Sequence, residues 1–256
     1  MPTLGVAMIT KNAQTHLAAC LSSVQWADQI VIVDSGSTDD TLTIARQFTA
    51  HIHQTTDWPG FGVQKNRAID QLSTDWVLAL DADEVVSEAL ALEIQAAISN
   101  PQSDVYRLER RSAFCGQWVK YSGWSNDWVA RLFRRGTAKY SDDLVHERLL
   151  HPSPAIAIRG TLLHYSYDDI ETVLSKINSY SSAGAAQRFA QGKQAHLGTA
   201  ILRGVWAFLR TYLLKLGFLD GRAGFLIAVM NAETTFYRFV KLRHLTDVSP
   251  QKPNNK

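Results

Sequence analysis

Two aspartates at the end of an apolar segment are the residues of this sequence best suited to chemistry. Asp81 and Asp83 directly follow the run WVLAL at 76–80, which has the composition of a buried strand. Carboxylate oxygens are hard ligands that suit Mg²⁺ or Mn²⁺, and these ions also bind diphosphate oxygens. A metal held there would neutralise charge on a leaving nucleoside diphosphate. A solvated acidic turn is the alternative interpretation, and a D-x-D pattern alone does not decide between the two.

A third aspartate, Asp34, ends an earlier β-branched run, QIVIV at 29–33, and is followed by turn residues. Its carboxylate could close an Asx turn that leads into a helix cap. It could instead accept a hydrogen bond from a nucleotide base or ribose. Its position about one βαβ unit before the D-x-D pattern gives the second hypothesis its weight.

Strand and helix patterns alternate over the first hundred residues and would place these aspartates at one edge of a sheet. Apolar runs predict strands at 4–9, 29–33 and 76–80, and a short strand is also predicted at 51–54. Helical spacing and capping residues predict helices at 15–24, 40–48, 64–72 and 87–98. This alternation is typical of an α/β fold with a mostly parallel sheet and helices on both faces. Ligands of such sheets bind beyond the carboxyl ends of the strands, where Asp34 and Asp81 would lie.

The pattern changes after the first hundred residues. Strands are predicted at 105–110, 129–133 and 156–164, and the sequence is helical in pattern from about 168 to 245. We therefore predict a catalytic α/β domain at 1–165 and a helical extension at 166–256. Cys20 and Cys115 are the only cysteines, which excludes a disulfide framework and a cysteine-rich metal cluster. Residues 1–10 lack the basic start and long apolar core of a secretion signal.

Four segments together resemble the family 2 inverting glycosyltransferases of the GT-A fold. They are ITKN at 9–12, IVIVDSGSTDDT at 30–41, QKNRAI at 64–69 and WVLALDADE at 76–84, in the order and spacing of that family. Three later segments are similar to the branch that adds sugars in lipopolysaccharide core assembly, which includes β-1,4-glucosyltransferases acting on heptose. These are GWSNDWVARLFRRG at 123–136, VHERL at 145–149 and FLRTYLLKLGFLDGRAGF at 208–225. The resemblance therefore extends over nearly the whole chain.

The resemblance implies roles for particular side chains. It assigns contacts with the nucleotide to Thr10, Asn12, Asp34, Lys65 and Asn66. It places Asp81 near the ribose and the metal, makes Asp83 the main ligand of Mg²⁺ or Mn²⁺, and makes His146 a neighbour of the metal or diphosphate. Family members often have a second aspartate where this chain has Ser35, so base recognition through that position is in doubt.

The general base is expected among three carboxylates. Inverting transfer needs one carboxylate to take the proton of the acceptor hydroxyl. Much of the family has an acidic pair after the second sheet segment, and His146-Glu147 corresponds to it here. Glu147 is the favoured base, Asp127 and Asp142 are the competitors, and a polar pair at a strand end is the alternative interpretation. The arginines of the same region could bind diphosphate or an anionic acceptor, or form a solvated face: Arg131, Arg134 and Arg135.

The C-terminal segment differs in charge from the rest of the chain. Residues 201–245 hold seven Lys and Arg against two Asp and Glu, a net charge of +5, while the whole chain carries +2. Apolar and aromatic residues surround these charges, so an anionic membrane surface is the expected partner. The longest uncharged run here, at 223–232, is too short to span a bilayer. Packing against the catalytic domain or a dimer partner is the alternative hypothesis.

The resemblance implies inverting transfer of a sugar, with UDP-glucose the expected donor and a lipid-linked core saccharide the acceptor. The expected location is the cytoplasmic face of the inner membrane, and no nucleic-acid partner is expected. A sugar-nucleotide nucleotidyltransferase is one alternative, but it would need a glycine-rich loop after the first strand, where residues 10–13 are TKNA. A non-catalytic, membrane-bound module on a transferase fold is the other alternative.

Overall fold

The computed structural model describes residues 1–142 and 147–248. Contacts divide the chain into two compact units. The first unit contains Met1–Ser112 and Asn126–Tyr165, and the second contains Ala113–Ser125 and the chain from Ser166 onward. The functions expected of the two predicted domains, 1–165 and 166–256, stay predictions.

Eleven strands and seven α-helices make up the described chain. The strands are β1 (Leu4–Thr10), β2 (Gln29–Asp34), β3 (Ile52–Gln54), β4 (Trp76–Asp81), β5 (Glu84–Val86), β6 (Val105–Phe114), β7 (Gln117–Trp118), β8 (Asp127–Arg134), β9 (Lys139–Tyr140), β10 (Leu149–Leu150) and β11 (Ile156–Tyr167). The helices are α1 (Gln14–Ser22), α2 (Thr41–Ala45), α3 (Phe61–Asp70), α4 (Glu88–Ser99), α5 (Ile170–Ala190), α6 (Leu197–Leu209) and α7 (Gly221–Val248).

The main sheet has a parallel half and a half with antiparallel pairs, in the order β3-β2-β1-β4-β8-β6-β11-β5. Strands β1 to β4 are mutually parallel, as the alternation of strands and helices predicted. Strand β8 lies antiparallel to β4 and β6, and β11 lies antiparallel to β5. The predicted α/β class with its parallel sheet and helical C-terminal extension is confirmed. Through this antiparallel pairing, β8 lies beside β4, the strand that ends at Asp81.

Both faces of β1 are buried, so its alternate residues contribute to two separate cores. Val6 and Met8 pack in a cluster that includes Leu17 of α1. Ala7 and Ile9 pack on the opposite face, in a cluster that α3 covers. Burying a large aliphatic side chain contributes about 1.5–3 kcal/mol. The two cores therefore fix the strand register, and with it the positions of the residues at the strand ends.

Helix α3 begins three residues earlier than its sequence pattern predicts. Gly60 precedes it with a φ of 114°, a backbone conformation that favours glycine. Gly62, in the first turn, packs so closely that an added Cβ would overlap the carbonyl oxygen of Ser141. Gly62 and its neighbour Val63 are weak helix formers, so packing sets the start of α3 and local preference does not.

The second unit is built from the segment 113–125 and helices α5 to α7. Strand β7 pairs with the end of β6 through Ala113 and Phe114. Phe114, Val173 and Ile227 share an apolar cluster with the partly buried Trp124 and Tyr167. Within the described ranges, we find no helix with both the length and the apolar character required to cross a membrane.

Candidate active site

The carboxyl ends of β1, β2 and β4 bring the predicted residues together. Thr10 lies opposite Asp34 in the pairing of β1 with β2, and Ile9 lies opposite Asp81 in the pairing of β1 with β4. The hydroxyl of Thr10 donates to Asp34 Oδ2 at 2.8 Å. Parallel pairing therefore places the three strand ends at one edge of the sheet, as the sequence predicted.

Asp34 organises the loop that follows β2. Its side chain is fully buried, and Oδ1 accepts from the backbone amides of Gly36 at 3.1 Å and Ser37 at 2.9 Å. Oδ2 accepts from the hydroxyl of Ser37 at 2.5 Å. These bonds match the turn that the sequence offered as one interpretation of Asp34, because residues of the loop bind both of its carboxylate oxygens. Direct contact between Asp34 and a nucleotide stays a prediction.

Asn12 ties the loop after β1 to the loop after β2. It has a φ of 51°, in the left-handed region that asparagine tolerates better than most residues. Its side-chain oxygen accepts from the backbone amide of Thr38 at 2.8 Å. The backbone amide of Asn12 donates to the hydroxyl of Ser37 at 2.9 Å. The two loops therefore form one hydrogen-bonded rim beside the ends of β1 and β2.

Lys65 of α3 is the central cation of the site. Its ammonium nitrogen lies 2.8 Å from Asp81 Oδ1 and 3.0 Å from Glu147 Oε1, and its side chain is only 7% exposed. Burial alone would lower the pKa of Lys65, but the attraction of Asp81, with smaller contributions from Tyr140 and Glu147, raises that pKa above its ordinary value despite the repulsion of Arg131. Lys65 therefore stays charged and joins the D-x-D segment to the favoured base.

Arg131 of β8 is the second buried cation. Its guanidinium contacts the carboxylate of Asp81 and donates to Glu84 Oε1 at 2.7 Å. Burial alone would raise the pKa of Asp81, but Arg131 and Lys65 hold that pKa well below its usual range. Within the described residues, the buried Nε of Arg131 has no hydrogen-bond partner. The D-x-D carboxylate is therefore held ionised between two cations.

Glu84 extends this ion-pair cluster toward Asp127. Glu84 is fully buried, and it accepts from the backbone amide of Asp81 at 3.0 Å and from Arg110 at 3.3 Å. Arg110 also donates to Asp127 Oδ2 at 2.9 Å. Asp127, the competing base, is therefore linked to the same cluster through one arginine. Asp142, the other competitor, is exposed.

Asp83 faces His164, a residue of strand β11. Asp83 Oδ2 lies 3.5 Å from His164 Nε2, and the side chain of Asp83 is 39% exposed. The pairing of β11 with β5 places His164 opposite Glu84. The other ring nitrogen of His164 is 2.9 Å from the hydroxyl of Ser112, which orients the ring. A carboxylate oxygen and an imidazole nitrogen therefore face each other at the end of the D-x-D segment.

The donors at Asp83 fit a divalent cation that also binds substrate. In the part of the chain that the structure describes, no three His, Cys, Asp or Glu side chains form a ready-made metal group. His146, the predicted metal neighbour, lies outside the described residues. Mg²⁺ is commonly held by one or two carboxylates together with waters and phosphate oxygens, which needs few protein ligands. Around Lys65, Arg110 and Arg131, the described site carries five carboxylates, so its net side-chain charge is negative: Asp81, Asp83, Glu84, Asp127 and Glu147.

Asn66 and two of the arginines have their side chains bound within the protein. The amide group of Asn66 bonds to the backbone of Tyr140 on both sides, accepting at 2.8 Å and donating at 2.9 Å. Its contact with the nucleotide stays a prediction. Of the three arginines considered, Arg131 is buried in the site, whereas Arg134 pairs with Asp104 at 2.9 Å.

Sequence reasoning did not identify Glu84 or His164 as site residues. Glu84 follows the D-x-D pattern directly, and an acidic residue next to two aspartates could have been the signal. His164 had only its position at the end of a predicted strand to indicate it. Its proximity to Asp83 depends on β5, a strand of three residues whose pattern is too short to detect.

Known proteins share sequence with this chain over most of its length. The model of the family described as Glycosyl transferase family 2 matches residues 5–157. An uncharacterized glycosyltransferase of Rickettsia prowazekii is 28% identical over 259 residues, covering 96% of this chain and 88% of that protein. The lipopolysaccharide core biosynthesis glycosyltransferase LpsC of Rhizobium meliloti is 28% identical over 258 residues, covering 96% of this chain and 95% of that protein.

Solved structures of other proteins align with all or part of this chain. TarS of S. aureus, residues 1-349, aligns with a TM-score of 0.46 and 14% sequence identity, covering 98% of this chain and 93% of that one. Glucosyl-3-phosphoglycerate synthase from Mycobacterium tuberculosis, in complex with Mn²⁺ and UDP-glucose, aligns with a TM-score of 0.37 and 19% identity, covering 44% of each chain.

Proposed function

The chain belongs to glycosyl transferase family 2, and we propose that it transfers a hexose, with inversion, from a nucleoside diphosphate sugar to a lipid-linked saccharide acceptor. UDP-glucose is the proposed donor, and a heptose of a lipopolysaccharide core is the proposed acceptor. The acceptor class is supported by the similarity to LpsC, whose name assigns it to lipopolysaccharide core biosynthesis and which aligns over 95% of its length.

One contact carries the catalytic part of this proposal. Lys65 binds Asp81 and Glu147 at the same time, so the favoured base lies one side chain away from the D-x-D segment. A base in an inverting enzyme must reach the acceptor hydroxyl beside the sugar that is being displaced. Glu147 satisfies that requirement better than the exposed Asp142 does.

The proposed reaction is a single displacement at the anomeric carbon. Glu147 accepts the proton of the acceptor hydroxyl as the hydroxyl oxygen bonds to the anomeric carbon. The bond from that carbon to the diphosphate oxygen breaks, and its electron pair leaves with the nucleoside diphosphate. Lys65, charged and fixed by two carboxylates, holds the orientation of the Glu147 carboxylate before the acceptor arrives.

A divalent cation is part of the proposal. Asp83 and His164 are the residues that would hold Mg²⁺ or Mn²⁺, since an oxygen and a nitrogen donor face each other there at 3.5 Å. When bound, the ion supplies neutralisation of the charge on the diphosphate leaving group. Ser112 would keep the ring nitrogen of His164 directed at that ion.

Donor binding and turnover test the proposal together. We expect UDP-glucose with Mn²⁺ to raise the melting temperature more than GDP or CMP sugars do, because a ligand that binds only the folded state stabilises it. We expect transfer of glucose to a core saccharide that ends in heptose, measured after the background hydrolysis of UDP-glucose is subtracted. Stabilisation by a sugar nucleotide without transfer to any saccharide would instead support a non-catalytic binding module. The location at the cytoplasmic face of the inner membrane stays a prediction.

A further inference from the structure

Helix α6 exposes its large apolar side chains and buries its small ones. The buried residues are Ala200, Gly204 and Ala207. At Gly204 an added Cβ would lie 3.4 Å from the carbonyl oxygen of Ala232, so small residues let α6 approach α7 closely. The exposed residues are Leu197, Ile201, Leu202, Val205, Trp206 and Leu209. A helix that packs in water normally does the reverse, with its large apolar residues facing the core.

The exposed apolar surface continues beyond α6. The chain passes through a π-helical turn, Arg210–Leu214, and a 3₁₀ turn, Gly217–Asp220, before α7 begins. We call the exposed apolar residues of this stretch, 210–220, the apolar tip: Leu213, Leu214, Leu216, Phe218 and Leu219. Leu214 is 66% exposed and Leu219 is 53% exposed. A contiguous apolar surface of this kind marks an interaction site.

The apolar tip is held in one conformation by polar contacts beneath it. The carboxylate of Asp220 accepts from the amides of Lys120 at 3.0 Å and Tyr121 at 2.9 Å, and from the hydroxyl of Ser122 at 2.6 Å. The amide of Ser122 in turn donates to the carbonyl oxygen of Lys215 at 2.9 Å. The exposure of the tip is therefore a property of a fixed turn, with its backbone tied to the segment 113–125.

The charges around this surface select the kind of partner. Its exposed basic residues are Arg203, Arg210, Lys215 and Arg222. Asp220 is the single acidic residue between positions 197 and 226, and its carboxylate is used within the turn. In a symmetric dimer each copy would present the same surface, which would place cations against cations with no carboxylate to match them. Cations among leucine, phenylalanine and tryptophan suit an anionic lipid interface.

We propose that the apolar tip and the exposed face of α6 insert into the interfacial layer of an anionic lipid membrane. The apolar side chains leave water for the boundary between headgroups and acyl chains, and the basic side chains remain at the phosphate level. This inference concerns binding and does not depend on the proposed sugar transfer.

Flotation of the full chain with vesicles tests it. One set of vesicles is phosphatidylcholine alone, and the other is an equimolar mixture of phosphatidylcholine and phosphatidylglycerol. We expect binding to the anionic set, weakened by salt without being abolished, because salt screens the charges and leaves apolar contact intact. The double variant Leu214→Glu, Leu219→Glu should lower the bound fraction at least about tenfold. Leu202→Glu, on α6, should lower it through the same surface.

Matched substitutions outside the surface give the control. Leu92 of α4 is 68% exposed, close to the value for Leu214, so Leu92→Glu should bind vesicles like the wild type. Reversal of Arg203, Arg210 and Lys215 to glutamate should release the protein, whereas reversal of the exposed Arg46, Lys139 and Arg159 should not. Circular dichroism checks that each variant is folded.

Three results would overturn the proposal. One is equal binding of the wild type to neutral and anionic vesicles, and another is full binding by both Leu202→Glu and the folded double variant. The third is a dimer in light scattering that the apolar substitutions dissociate, with no vesicle binding, since the surface would then serve a second copy of the chain.

Discussion

The ammonium nitrogen of Lys65 lies 2.8 Å from Asp81 Oδ1, in a position where the lysine side chain is almost fully buried. Removing one partner of a buried ion pair leaves the other charge without compensation, at a cost of about 3–5 kcal/mol. Arg131 remains beside Asp81, so we expect Lys65→Met to lower the free energy of unfolding by about 3 kcal/mol. Urea denaturation measures this, with the exposed Lys139→Met as the control.

The same contact predicts a pH dependence. The pKa of Asp81 is depressed in the folded state, so its contribution to stability is present above the unfolded value of about 3.9 and is lost as the pH falls below it. The pKa of Lys65 is raised, so its contribution is lost only as the pH rises above about 10.4. The free energy of unfolding of the wild type should therefore fall on acidification below about pH 4, as the unfolded chain takes up a proton that the folded Asp81 does not. A free energy of unfolding that stays constant from about pH 4 to about pH 2 would contradict this contribution.

Glu147→Gln should retain binding of UDP-sugar and lower kcat by at least about 10²-fold, the usual scale of general-base catalysis. Glutamine keeps the size of the side chain and removes its capacity to accept a proton. Steady-state kinetics with calorimetry of donor binding separate the two effects. Asp127→Asn and Asp142→Asn are the matched controls, and a large loss of kcat in either of them alone would move the base to that residue.

Asp83→Ala should abolish the metal-dependent part of donor binding while leaving the fold intact, because Asp83 is a partly exposed carboxylate that faces His164. Ser112→Ala should lower the affinity for Mn²⁺ by about tenfold, the lower end of effects from residues that orient a ligand. Calorimetric titration with Mn²⁺ and UDP measures both. Unchanged Mn²⁺ affinity in Asp83→Ala would exclude it as a ligand.

Gly62→Ala should destabilise the protein by about 1–3 kcal/mol, because the added methyl group meets the carbonyl of Ser141 in a tightly packed contact. Gly198→Ala is the matched control, since Gly198 is also helical and a methyl group added there would meet no atom within 4 Å beyond its chain neighbours and its own helix backbone. That control should gain about 0.4–1 kcal/mol from the reduced entropy of the unfolded chain. Thermal unfolding of both variants tests the contrast, and equal effects would contradict it.

The elements of the parallel half could be predicted because their signals are local. The run at 29–33 is apolar and β-branched, and turn residues follow it, so β2 ends at Asp34 as expected. The placement of Thr10, Asp34 and Asp81 at one edge then follows from parallel pairing alone. The resemblance to the family was specific for a related reason, since three of its first four segments lie at these strand ends and the fourth lies on α3.

The ion pairs of the site could not be predicted, because they join residues that are far apart in the chain. Lys65 and Glu147 are 82 positions apart, and Arg131 lies 50 positions from Asp81. No sequence periodicity relates residues so far apart. The sequence also does not distinguish a buried arginine from an exposed one. His164 was missed for a related reason, since the three-residue strand β5 alone brings it to Asp83.

The configuration of the transferred sugar tests the central claim most directly. The chain is incubated with UDP-glucose, Mn²⁺ and a core saccharide that ends in heptose, and the product is examined by proton NMR. A single displacement with Glu147 as base predicts one new glucose residue in the β configuration from the α-linked donor, formed at least about 10²-fold more slowly by Glu147→Gln. A product that retains the α configuration, or transfer that is undiminished in Glu147→Gln, would contradict this account.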